Sequence, residues 1–315
     1  GDHRDLHLSI RRQRQMCIRD SPDTGTKYWI SGARILTNHP IVDSHHHFWE
    51  IERFDYSWMP EDSPLAADYG PEDLKPLLKS SSVTHTVIVQ AVSSPDESRW
   101  LLELADKHDF IAGVVGWVDL TDPKVGNTLD ELQQSAYFKG VRHIWEGEKD
   151  PAWIVNSGAI NGLKELARRN LTFDFLAKPV NLPFIPVVMD LVPNLKAVVD
   201  HIAKPMIADA IIEPWLSDMR KVASINGIHC KISGMVTEAD HQNWTVDDLR
   251  PYVHHILGMF GSDRLMFGSD WPVCTLAGDY SRIIDAAKEI LSTQLPAVQT
   301  DIFGNTAKRF YNLNI

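Results

Sequence analysis

Four side chains could together activate a water and polarise a carbonyl: His45, His47, His201 and Asp270. The apolar start Ile41-Val42 runs into Asp43-Ser44-His45-His46-His47. Side chains of an extended strand alternate between faces, so His45 and His47 point one way and His46 the other. Two imidazoles so placed can converge on one ion or one substrate oxygen. His201 follows the apolar run Val198-Val199, and Asp270 follows Leu265-Met266-Phe267-Gly268-Ser269, with Pro272 helping to stop the strand. Histidine and aspartate are proton-transfer groups at neutral pH and also N and O ligands of zinc. Each has a plainer role open to it: a surface histidine cluster, a buried hydrogen-bonded histidine, or an aspartate helix cap.

A second group stands near the same strand ends. Arg142 can grip a polar or carboxylate group. Lys231, mid-strand in Cys230-Lys231-Ile232-Ser233-Gly234, needs a buried partner, and Asp174 is the candidate. Trp49, Gln90 and Glu146 are candidate pocket residues, as are His241 and Trp244 in the long connection after the seventh strand. His143, next to Arg142, should face the other way, and His254 and His255 read as structural residues of a helix. No G-x-S-x-G nucleophile elbow occurs.

These residues need elements that bring them to one end. Strands are expected at 41–49, 84–92, 111–120, 140–145, 172–177, 196–202, 228–233 and 264–269. They start roughly 30 residues apart, the length of a βαβ unit. Helices are expected at 98–108, 128–136, 158–169, 214–225 and 246–260, with further helices in 281–291 and 305–313, the last capped by Asn305. Runs such as Val87-Ile88-Val89-Gln90-Ala91-Val92 lack polar alternation, as parallel strands covered by helices do. Eight such pairs make a single-domain (β/α)8 TIM barrel over residues 41–315, whose catalytic groups sit at the C-terminal strand ends. A doubly wound sheet would want a glycine-rich loop after the first strand, where Ser44-His45-His46-His47-Phe48 stands instead.

Composition narrows the function. The 315 residues carry 31 basic and 42 acidic side chains, a net charge of −11, which argues against a nucleic-acid partner. No apolar run is long enough for a membrane span. Three scattered cysteines, Cys17, Cys230 and Cys274, suggest reduced thiols in a cytoplasmic protein. Residues 1–21 are basic and read as an artefactual or disordered tail, 22–40 as a lead-in segment.

The motifs IVDSHHHFW, GVVGWVDL, GVRHIW, VVDHIAKP, CKISG and LMFGSDWPV resemble the amidohydrolase superfamily. Within it they are similar to the sugar-lactonase branch of L-fucono- and L-rhamnono-lactonases, related to 2-pyrone-4,6-dicarboxylate lactonase. The resemblance covers residues 41–313. It implies a carboxylic-ester hydrolase that opens an aldonolactone, with Asp270, His201, His45 and His47 catalytic; Arg142, Trp49, Gln90, Lys231 and His241, read from their places near the strand ends, are the substrate-binding candidates. Binuclear members carry a bridging lysine or glutamate on the fourth strand and a histidine on the fifth. Here those strands offer Arg142, His143 and Asp174. The expectation is therefore at most one divalent ion, zinc, on His45, His47, His201 and Asp270, dispensable if the same residues act on substrate and water directly. No organic cofactor is expected, and a homo-oligomer is open. The alternatives are a 2-pyrone-4,6-dicarboxylate-type lactonase, a zinc-dependent decarboxylase of the same superfamily, and a non-catalytic barrel that binds a sugar acid.

Overall fold

The computed structural model describes residues 39–60 and 62–315. The expectation of a tail at 1–21 and most of the lead-in at 22–40 lie outside the described residues. Eight parallel strands run in sequence order: β1 (Ile41–His46), β2 (Val83–Val89), β3 (Ile111–Gly116), β4 (Phe138–His143), β5 (Thr172–Phe175), β6 (Lys196–Val199), β7 (His229–Ile232) and β8 (Leu265–Phe267). The barrel closes from β8 back to β1 through Ser44 Oγ donating to the Phe267 carbonyl (2.7 Å), and through the Asp270 and His47 amides donating to the His45 and Trp271 carbonyls (2.8 and 2.7 Å).

Helices α1 (Pro71–Ser81), α2 (Pro95–Lys107), α3 (Val125–Leu132), α4 (Ser157–Arg168), α5 (Phe184–Leu191), α6 (Trp215–Ala223), α7 (Val246–Phe260) and α8 (Tyr280–Leu291) fill the crossovers. Their starts are set by local chemistry. Ser94 accepts from the Asp96 amide ahead of α2, Asn156 from the Ala159 amide ahead of α4, and Asp279 from the Arg282 amide ahead of α8. Apolar residues of the helices and the outward strand positions, such as Val141, Phe173, Phe175 and Ile232, form one large core. Inward positions Val42, Val87, Val89, Val115, Val198 and Met266 pack with Ala307, Phe310, Tyr311 and Leu313, so the C-terminal segment plugs the barrel.

Several strands end earlier than their apolar runs suggest. β6 stops at Val199 and β8 at Phe267. The runs continue because the loops at this end of the barrel are themselves buried, so apolarity there marks burial and not extended backbone. Asn305 is not a cap: its φ of −59° is helical and its side chain makes no capping bond, because a π-helical turn (Asp301–Asn305) runs on into Thr306–Phe310.

Candidate active site

Four strand ends deliver the candidate residues to the floor of one cavity of about 230 Å³, lined in part by His47, Arg142, His201 and Asp270. His45 Nε2 and His47 Nε2 are 3.2 Å apart, while His46 turns away and bonds Thr86 Oγ1 at 2.8 Å. Asp270 Oδ1 lies 3.3 Å from His47 Nε2, 3.8 Å from His45 Nε2 and 3.9 Å from His201 Nε2.

Backbone conformation at two of these ends is unusual. Residues His201, Ile202, Ala203 and Lys204 all have positive φ, from 47° to 58°. A left-handed turn of side-chain-bearing residues costs roughly 1–2 kcal/mol for each of them. Burial of His201, Ile202 and Ala203 and the Trp215 indole N–H on the Ile202 carbonyl (2.6 Å) hold it in place. Gly234 (φ +57°) lets the chain pass His201: a Cβ there would lie 2.4 Å from His201 Nδ1. Gly268 does the same for His45, whose Cβ would be 2.6 Å from an added methyl. Asp270 is itself left-handed, φ +59°.

The second ring nitrogens fix the imidazoles. His47 Nδ1 donates to the Val89 carbonyl (2.8 Å), so its Nε2 lone pair faces the Asp270 oxygen. His201 Nδ1 meets Ser233 Oγ at 2.9 Å. His45 is flanked by two cations, Lys231 Nζ at 3.1 Å from Nδ1 and Arg142 Nη1 at 3.3 Å from Nε2. Burial first, then Lys231, His47 and Arg142, drive its pKa well below the ordinary histidine value, so it is neutral. Burial raises the Asp270 carboxyl, but His201, His47 and Lys204 outweigh it and hold the pKa below the usual carboxylate range. Asp270 is thus an anion at neutral pH.

Beneath the histidines lies an ionic layer. Lys231 Nζ contacts Asp174 Oδ2 at 2.6 Å and Asp200 Oδ1 at 3.0 Å, and Tyr311 donates to Asp174 Oδ2 at 2.7 Å. Asp200 also faces Arg142 at 3.7 Å.

A cation fits the upper cluster. Two acceptors as close as His47 Nε2 and Asp270 Oδ1 call for a proton or a positive ion between them. Ligand atoms of His45, His201 and Asp270 lie within 4.8 Å of one another, and N,N,O donors suit zinc. Arg142 presses a permanent charge on His45 at Nε2 and Lys231 at Nδ1, which opposes a second ion nearby.

Other expected residues fall elsewhere. His241 is exposed, its Nε2 on the Thr237 carbonyl at 3.0 Å, and is not among the cavity's lining residues; Thr237 and Glu238 form that wall. The loop's Asp240 holds the Gln242 and Asn243 amides, which turns it outward. Trp49 is fully buried behind Trp58, and it is Trp58 that lines the cavity. Trp244 donates to the Ala277 carbonyl and is buried. Gln90 and Lys231 are fully buried: Gln90 accepts from Arg142 through its side chain (3.3 Å) and its carbonyl, and Lys231 reaches His45 from below. Glu146 does line the cavity, beside Lys204, which sequence reasoning did not single out. Lys204 was hidden because only the left-handed turn aims it inward, and non-glycine residues do not announce such a turn.

The amidohydrolase family model matches residues 42–313. An L-fucono-1,5-lactonase of Burkholderia ambifaria is 35% identical over 280 residues, which cover 87% of this chain and 96% of the relative. A crystal structure of an amidohydrolase from Burkholderia multivorans with bound zinc superposes with a TM-score of 0.83 at 33% identity, over 87% of this chain and 99% of that one. A probable 2-pyrone-4,6-dicarboxylic acid hydrolase from Acinetobacter baumannii shares the fold, at a TM-score of 0.71 and 18% identity over 87% and 99% of the two chains. With that match across the whole barrel, the chain belongs to the amidohydrolase family.

Proposed function

We propose that the protein is a lactonase, a carboxylic-ester hydrolase that opens a sugar-derived lactone such as L-fucono-1,5-lactone. The observation that carries this reading is the buried Asp270 carboxyl group set 3.3 Å from His47 and 3.9 Å from His201 on the cavity floor. The similarity to a sugar lactonase over nearly the whole barrel supports the substrate class.

Asp270 accepts a proton from a water held in the cavity, and the water oxygen attacks the lactone carbonyl carbon. Arg142 and the His201 imidazole, both in the cavity lining, stabilise the negative charge that develops on the carbonyl oxygen; one such donor is worth about 3 kcal/mol. When the ring C–O bond breaks, the proton on Asp270 passes to the leaving alkoxide, which restores the Asp270 carboxylate; the hydroxy acid so formed then loses its own proton to solvent. A zinc ion, where bound, would be held by His45, His201 and Asp270 with His47 adjacent, and would polarise the carbonyl as a Lewis acid.

The test is a panel of aldonolactones followed by acid release. Hydrolysis of at least one of them, abolished with Asp270→Asn, is the expected result. Tight binding of sugar acids with no turnover on any lactone would make the barrel a binding module instead.

A further inference from the structure

One wall of the cavity carries a charged group that the hydrolytic step leaves unused. Glu146 Oε1 accepts from Lys204 Nζ at 2.7 Å, and Glu238 Oε1 lies 3.9 Å from the same ammonium. Glu146 Oε2 is buried and accepts no hydrogen bond among the described residues; Lys178 Nζ, 3.9 Å away, is beyond reach. An ammonium has three N–H donors, and Glu146 takes one. The wall therefore offers acceptor, donor and acceptor side by side. Much of the remaining lining is apolar: Trp58, Ala91, Ile144, Leu176 and Val273.

We propose that Glu146, Lys204 and Glu238 form a hydroxyl-recognition subsite that selects a neutral, vicinally hydroxylated lactone ring. The proposal rests on the lactonase reading. Adjacent hydroxyls supply O–H donors to the two carboxylates and oxygen acceptors to the spare N–H groups of the ammonium. Indole faces such as Trp58 suit the C–H surface of a sugar ring. A ring carboxylate would instead meet Glu146, Glu238 and Asp270, three acids against the two cations Arg142 and Lys204 in the same lining. The same imbalance disfavours the anionic product and aids its departure. The turn that orients His201 also orients Lys204, which ties recognition to the chemical centre through one rigid piece of backbone.

The experiment compares kcat/KM for an aldono-1,5-lactone and for δ-valerolactone, the same ring without hydroxyls, in the wild type, Lys204→Met and Glu146→Gln. A site built to bond hydroxyls discriminates against the analogue that lacks them. The wild type is expected to prefer the hydroxylated lactone. Each variant should shrink that preference about tenfold, the equivalent of one hydrogen bond to a charged group, mainly by raising KM for the hydroxylated ring. Lys204→Arg should recover part of it. If Lys204→Met does not fold, the isosteric Glu146→Gln decides. Equal losses on both substrates, or an unchanged preference in folded variants, overturn the subsite. A wild type that opens both lactones equally well removes the subsite and leaves the lactonase standing; one that opens no lactone of the panel removes both.

Discussion

Asp270 carries the sharpest expectation at the scale of a single residue. Its φ of +59° is one that asparagine tolerates best among side-chain-bearing residues, so Asp270→Asn keeps the backbone while removing the base. Turnover should fall by at least about 10²-fold, the low end for a general base, with little change in unfolding free energy. Wild-type rates in that variant would take Asp270 out of the mechanism. The metal question belongs to the same side chains. The crowding of Arg142 and Lys231 on His45 leaves room for one cation, so elemental analysis should find no more than one ion per chain. An ester is reactive enough for hydrogen-bond polarisation to serve, so exhaustive chelation should leave most of the activity. Complete loss restored by zinc would make the ion the electrophile. These residues were legible because histidine pairs and a strand-end aspartate are chemical signals in themselves. Trp58 was not, because the neighbouring Trp49 carries the same signal, and which indole reaches the cavity is settled by loop packing.

At the scale of elements, the link between β2 and α2 shapes one side of the cavity and depends on a buried acid. Glu97, in the first turn of α2, is fully buried and accepts from the Ala91 and Val92 amides at 2.9 and 3.2 Å. Trp58 in turn donates to the Ala91 carbonyl at 2.9 Å. Burial pushes the Glu97 pKa up to about 8 against the opposing pull of those amides. An acid whose pKa is raised on folding binds its proton more tightly folded than unfolded. Its contribution is full below the ordinary glutamate value and is lost as pH rises toward 8. Buried histidines such as His46, lowered to about 3 in the folded protein, act with the opposite sign, because their unfolded forms still shed protons around pH 6.5; the effect of Glu97 is therefore read as a difference between wild type and variant. Between pH 6.5 and 8, the urea-unfolding free energy of the wild type relative to Glu97→Gln should fall by up to about 1.4 kcal/mol per pH unit. A difference that stays constant across that range would place the titration elsewhere. Sequence periodicity located the eight strands but not where they end. The run through Val198-Val199 looked like a strand as far as Ile202, whereas the turn that replaces it is imposed by burial and by Trp215, residues distant from the pattern that was read.

For the whole molecule, the barrel is held between a charged middle and an apolar plug, and the two meet at Tyr311. Its ring belongs to the inner apolar cluster, and its hydroxyl donates to Asp174, which pairs Lys231, which contacts His45. Both ends of this line were visible in sequence only in part: Lys231 demanded a buried partner, and Asp174 on another strand was the candidate, but nothing in the C-terminal pattern placed a tyrosine under it. Stripping charge from such a layer is worse than never having built it, because the partner is left buried and unpaired. Lys231→Met would leave Asp174 and Asp200 facing each other without their shared ammonium. Its unfolding free energy should drop by about 3–5 kcal/mol, the range for breaking one buried pair. Tyr311→Phe removes only one hydrogen bond to a carboxylate that keeps Lys231, and should lose about 1.5–3 kcal/mol while its ring still fills the plug. In urea titrations the two variants should keep that order. If Tyr311→Phe proved as damaging as Lys231→Met, the hydroxyl rather than the ammonium would be the group that keeps the charged layer folded. If neither moved the midpoint, the layer would owe its place to the histidines above it and not to the stability of the barrel.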